Sequence, residues 1–139
     1  MSKLPLLLDT HVWVLYANKT TGLKKSTIEA IDAGLESGTI FVSAISVWEI
    51  ALLVRQNKLA LQTSIERWID QALAVSGLQL LPFSPQIAIE SVNLPLPMHK
   101  DPADRILVAS ARVERLTLVT SDKAVLDFAK STGLAHLRA

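Results

Sequence analysis

The stretch Thr39-Ile40-Phe41-Val42-Ser43-Ala44-Ile45-Ser46-Val47-Trp48-Glu49-Ile50 changes character at a single residue. Residues 39–42 are β-branched or aromatic, the composition of a buried strand. Ser43 offers a hydroxyl as N-cap, and the apolar run beyond it predicts a helix to about Asn57. A strand that passes straight into a helix is half of a βαβ unit, and the same pattern recurs on both sides. Upstream, the short Leu-rich run before Asp9 reads as a fully buried strand, followed by a helix capped by Asp9 or Thr10 and running to Tyr16. Residues 24–36 read as an amphipathic helix stopped by Gly38. Downstream come a helix over 64–75 closed by Gly77, a strand over 78–81, and a short helix over 86–92. Asp101-Pro102 opens a helix to about Arg115, with Pro at its first position, where the missing N–H does no harm. Residues 116–120 predict a strand, 123–131 a helix and 134–137 an edge strand. This alternation predicts an α/β fold with a central parallel sheet and helices on both faces.

The chain has 139 residues, the size of one domain, so a single domain over 1–139 is expected. Half of the residues are hydrophobic and 19% are charged, which favours a packed core over disorder. With no cysteine, disulfides, thiolate metal sites and a Cys nucleophile are excluded. The longest apolar run, residues 12–17, is too short to span a membrane. The Leu-rich start meets Asp9 without a small-residue cleavage site, so a cytosolic protein is expected. Fourteen Lys and Arg against thirteen Asp and Glu give a formal charge of +1. No bulk field draws such a domain onto nucleic acid, so a bound polyanion needs a local patch.

In a sheet of this kind, ligands sit beyond the carboxyl ends of the strands. Asp9 follows the first strand and Asp122 follows the strand over 116–120. Each acid is a metal-ligand candidate and equally an N-cap for the next helix. Glu49 is the only charge in residues 44–54, and its same-face neighbours on a helix are Ile45, Ser46, Leu52 and Leu53. A buried carboxylate there costs several kcal/mol unless it is protonated, paired or bound to a cation. The alternative is a solvent-facing Glu on a helix packed by its other side. Asp104 shares a face with Leu107, Val108 and Ala111, so its carboxylate falls on the same rim as Asp9 and Asp122. Asp101 suits the cap of that helix. Acids gathered in one place cannot all ionise without a counter-ion. Hard oxygen donors without Cys suit Mg²⁺ or Mn²⁺, an arrangement that fits phosphodiester hydrolysis.

Four ordered motifs carry a resemblance: Asp9-Thr10-His11, residues 43–50 through Glu49, His99-Lys100-Asp101-Pro102-Ala103-Asp104-Arg105, and Thr120-Ser121-Asp122. In order and spacing they resemble the PIN-domain proteins, most nearly the VapC-like toxins of toxin–antitoxin pairs, from about residue 6 to 128. The resemblance implies an α/β/α sandwich and a Mg²⁺- or Mn²⁺-dependent endoribonuclease. It also implies an RNA substrate, a homodimer and a cognate antitoxin. Its acidic quartet falls on Asp9, Glu49, Asp104 and Asp122. Thr120 matches a hydroxyl residue near the last acid, and Asp101 recurs in a subgroup. Relatives often carry Lys four positions after the Glu and Gly eight after it; here Leu53 and Asn57 stand there.

Arg105, Lys100 and Arg55 are candidate RNA contacts, and each has a structural alternative as an ion-pair or solvated residue. Lys58 also suits a phosphate track. His11 is more readily structural than a ligand. Trp13, Trp48 and Trp68 are read as core or dimer surface before base-stacking platforms. Two other functions compete: a catalytically silent PIN-like module that binds RNA or protein, and a receiver-like phosphoacceptor domain. The latter needs an acid pair on its first strand and a Lys after a late strand, and neither is in place.

Overall fold

The computed structural model describes residues 4–95 and 101–139. Its strands are β1 (Leu6–Leu8), β2 (Ile40–Ser43), β3 (Leu78–Leu81), β4 (Thr117–Thr120) and β5 (His136–Arg138). Its helices are α1 (Thr10–Ala17), α2 (Lys25–Ser37), α3 (Ala44–Arg55), α4 (Ile65–Leu73), α5 (Pro85–Val92), α6 (Pro102–Glu114) and α7 (Lys123–Thr132). The five strands form one sheet in the order β3-β2-β1-β4-β5, every neighbouring pair parallel.

The Leu-rich β1 is buried on both faces, which is why it reads as a continuous apolar run. Leu6 and Leu8 face one core with Val12, Trp13, Ile31, Ile50 and Trp68, drawn from α1 to α4. Leu7 faces the other with Ile87, Leu107, Val108 and Phe128, drawn from α5 to α7. Ile45 of α3 also packs against this second core, so α3 reaches across the top of the sheet.

Strand order reverses next to β1. The chain steps outward from β1 to β2 to β3, then returns to place β4 on β1's other side. A crevice for a ligand opens where two neighbouring strands send their connections in opposite directions. That position lies between the ends of β1 and β4. The order also differs from the 2-1-3-4-5 arrangement of flavodoxin-like receiver domains.

Boundaries depart from expectation where backbone bonding decides them. β1 starts at Leu6 because Pro5 has no N–H to give; its carbonyl still accepts from Thr117 N–H at 2.9 Å. α3 ends at Arg55, two residues short of the expected limit. Asn57 adopts a left-handed conformation (φ 58°), its N–H donating to Val54 O at 3.1 Å and that of Lys58 to Leu53 O at 2.9 Å. This is the paired closure usually built around glycine, and asparagine tolerates the same conformation best among residues with a side chain.

Candidate functional site

Among the helices that begin at the carboxyl end of the sheet, three have acids as their caps. Asp9 caps α1, its Oδ1 accepting from Val12 N–H at 2.7 Å. Asp101 caps α6 through Ala103 N–H at 3.0 Å, and Asp122 caps α7 through Val125 N–H at 3.0 Å. Ser43 caps α3 through Ile45 N–H at 3.0 Å. The capping role of Asp9 and Asp122 does not compete with a second one. A carboxylate has about four lone-pair sites on two oxygens, and each of these caps takes one of them.

Thr120 links the two strand-end acids. It is buried at the end of β4, and its hydroxyl donates to Asp9 Oδ2 while accepting from Asp122 N–H at 3.1 Å. Asp9 N–H in turn donates to Val119 O at 3.0 Å, which ties the start of α1 to β4.

Asp9, Glu49, Asp101, Asp104 and Asp122 line one cleft of about 390 Å³, together with Thr10, His11, Leu53, Lys58, Leu107 and Ser121. Glu49 and Asp104 are partly buried in its walls. Burial pushes the Asp104 carboxyl up to about 7, and like charge from Asp101, Asp122, Glu49 and Asp9 adds to the push. Burial raises Glu49 as well, with Asp101 and Asp9 repelling it, against a hydrogen bond from Thr10 that favours the ionised form. Asp9 is raised mainly by burial, opposed by its bonds to Thr120 and Val12 and by His11. The cleft thus holds more negative charge than it can keep ionised unaided.

Among the described residues, no three of these side chains already stand at ligand distance from a common point. They do form an all-oxygen donor set around one cavity, and their mutual repulsion is what a divalent cation relieves. The donor chemistry fits Mg²⁺ or Mn²⁺.

Some residues singled out from the sequence lie elsewhere. Arg105 turns away toward the end of α5, its Nε donating to Ser91 O at 3.0 Å and its Nη2 to Val92 O at 3.3 Å. Arg55 is exposed on the last turn of α3 and does not line the cleft. Lys100 and His99 lie outside the described residues. Lys58 lines the cleft because the left-handed turn at Asn57 swings the chain back over Leu53. Trp13 and Trp68 are core, their rings 5.5 Å apart, whereas Trp48 is 54% exposed. A larger groove of about 490 Å³, walled by residues such as Trp13, Leu23, Ile28, Ile31 and Val75, is mostly apolar and has no group of acids.

The PIN domain family model matches residues 6–131. The chain is 30% identical over 118 residues to Ribonuclease VapC22 of Mycobacterium tuberculosis, covering 85% of this chain and 87% of that one. Two solved assemblies share the fold. VapBC2 from Rickettsia felis, bound to a promoter DNA fragment, superposes with a TM-score of 0.69 at 20% identity over 95% and 96% of the two chains. DNA-bound VapBC from Salmonella typhimurium does so at 0.67 and 19%, over 96% and 97%. With its acids gathered at the switch point of a parallel sheet, and with the family model covering nearly its whole length, the chain belongs to the PIN domain family.

Proposed function

We propose that this protein is a divalent-metal-dependent endoribonuclease, acting as the toxin of a toxin–antitoxin pair. The observation that carries the reading is the convergence of Asp9, Glu49, Asp104 and Asp122 on one cleft that Asp101 also lines. The kinship with a ribonuclease adds the substrate class.

When bound, Mg²⁺ or Mn²⁺ supplies counter-charge for a phosphate and lowers the pKa of water. The chain's own residues prepare the place. Asp9 and Asp122 are held rigid by their cap bonds and by Thr120, so their outward oxygens are fixed before any ligand arrives. Asp104 and Glu49 complete the donor set from two further helices. Lys58 stands at the mouth, where its ammonium can hold an RNA phosphate beside the acids. The positive ends of α1, α6 and α7 face the same space and favour the anionic backbone.

The partners follow from kinship and surface. Solved relatives are VapBC assemblies, which supports a cognate antitoxin. Ile89 and Val92 project from α5 at 64% and 76% exposure, an apolar face suited to a second copy of the chain. No helix among the described residues is long and apolar enough to cross a membrane. Incubation of total RNA with the purified protein, with Mn²⁺ or with EDTA, tests the reading. Discrete cuts that require the metal are expected; RNA left intact with Mn²⁺ contradicts it.

A further inference from the structure

Two residues of the recurring motifs are left over once the acids are assigned. Thr10 follows Asp9 on the first turn of α1, and Ser46 precedes Glu49 by one helical turn on α3. Their hydroxyls are hydrogen-bonded at 2.8 Å, and both side chains are buried, at 5% and 0% exposure. Thr10 and Glu49 line the same cleft, and hydrogen bonding from Thr10 favours the ionised form of the Glu49 carboxylate. Burying two hydroxyls between helices that are otherwise apolar gains nothing for packing, since apolar groups of the same shape do as well there. A helical serine left to itself bonds the carbonyl one turn back; Ser46 is turned across to α1 instead.

The result is a chain of contacts: Ser46 to Thr10 to Glu49. A hydroxyl has one proton and two lone pairs, so Thr10 can serve both neighbours only in one arrangement when Glu49 is ionised. Thr10 donates to Ser46 Oγ across this contact; when Thr10 turns its proton to an ionised Glu49, the Ser46 proton takes over the contact, which a pair of hydroxyls allows. Two points, the α1 start and the α3 face, fix where the Glu49 oxygens lie.

We propose that Thr10 and Ser46 form a positioning pair that aims the Glu49 carboxylate into the cleft and thereby sets its share of divalent-cation binding. This role presupposes the cation site proposed above. Neither hydroxyl touches substrate; both act through Glu49.

Calorimetric titration of the full chain with Mn²⁺ tests the pair, using Thr10→Val, Thr10→Ser, Ser46→Ala and Glu49→Gln. Thr10→Val keeps the shape and removes the hydroxyl; Mn²⁺ affinity is expected to fall about tenfold or more, as for other residues that orient a ligand. Thr10→Ser restores the hydroxyl and should bind nearly as the parent does. Ser46→Ala should weaken binding in the same direction and serves in place of Thr10→Val should that variant not fold. In the Glu49→Gln background, Thr10→Val should have no further effect, because its target is gone. Parent-like Mn²⁺ affinity in folded Thr10→Val or Ser46→Ala overturns the pair, as does an undiminished effect in the Glu49→Gln background. Absence of Mn²⁺ binding by the parent protein overturns the cation site itself, and the pair with it.

Discussion

Thr120 and Asp9, 111 residues apart in the chain, are joined by a hydrogen bond from the Thr120 hydroxyl to Asp9 Oδ2. The same hydroxyl accepts from Asp122 N–H, so one side chain locks the acids at the ends of two neighbouring strands. Thr120→Val is nearly isosteric and removes both bonds. It should lower stability by about 1–3 kcal/mol in urea denaturation and slow metal-dependent RNA cleavage by about 10–100-fold. Parent-like cleavage by the folded variant would mean that Thr120 serves the fold alone.

The crowded acids make stability depend on pH in a specific direction. Asp104 titrates near 7 in the folded protein against about 3.9 when unfolded. Between these values the folded state binds more protons, so stability falls as pH rises through that window and levels off above it. Glu49 and Asp9, also raised, act in the same sense. Thermal melts in EDTA should therefore show Tm falling from pH 5 to 7.5. Mn²⁺ should raise Tm more at pH 7.5 than at 5, and Asp104→Asn should flatten the EDTA profile. A metal-free Tm that rises over this interval would contradict the electrostatic account.

Lys58 and Arg105 should separate cleanly. Lys58 faces the cleft and Arg105 ties down the end of α5. In the Glu49→Gln background, Lys58→Ala should weaken RNA binding and lower its salt slope by about one, with Tm unchanged. Arg105→Met should destabilise the fold by about 1–3 kcal/mol. An unaltered salt slope for Lys58→Ala would remove that residue from the RNA path.

The apolar face of α5 offers a test of assembly. Sedimentation of the parent at micromolar concentration should show a dimer, and Ile89→Glu with Val92→Glu should yield monomers that keep their helical circular dichroism. A parent that sediments as a monomer contradicts the dimer.

Much of this architecture is legible in one sequence because local and tertiary signals agree. The Leu-rich β1, the capping acids and the Asp101-Pro102 start each specify an element through chemistry within a few residues. Glu49 stands out because a lone carboxylate on an apolar helix needs a reason, and the cleft supplies it. Other features depend on relations no local pattern holds. The placement of β4 beside β1 is a choice of strand order. Arg105 finds carbonyls 13 and 14 residues upstream, a partner that helix periodicity does not reveal. The inward swing of Lys58 follows from the left-handed Asn57, where an asparagine does the work more often done by a glycine. Ser46 was visible as the polar neighbour on Glu49's face; its bond to Thr10 required the packing of α1 on α3.

Cleavage of RNA in Mn²⁺ by the individual variants Asp9→Asn, Glu49→Gln, Asp104→Asn and Asp122→Asn is the most direct check on the shared cation site. Each variant should fold, by circular dichroism, and each should lose cleavage by about a hundredfold or more. Parent-like cleavage by folded Asp9→Asn or Asp104→Asn would show that the acids of this cleft do not hold the ion that cuts RNA.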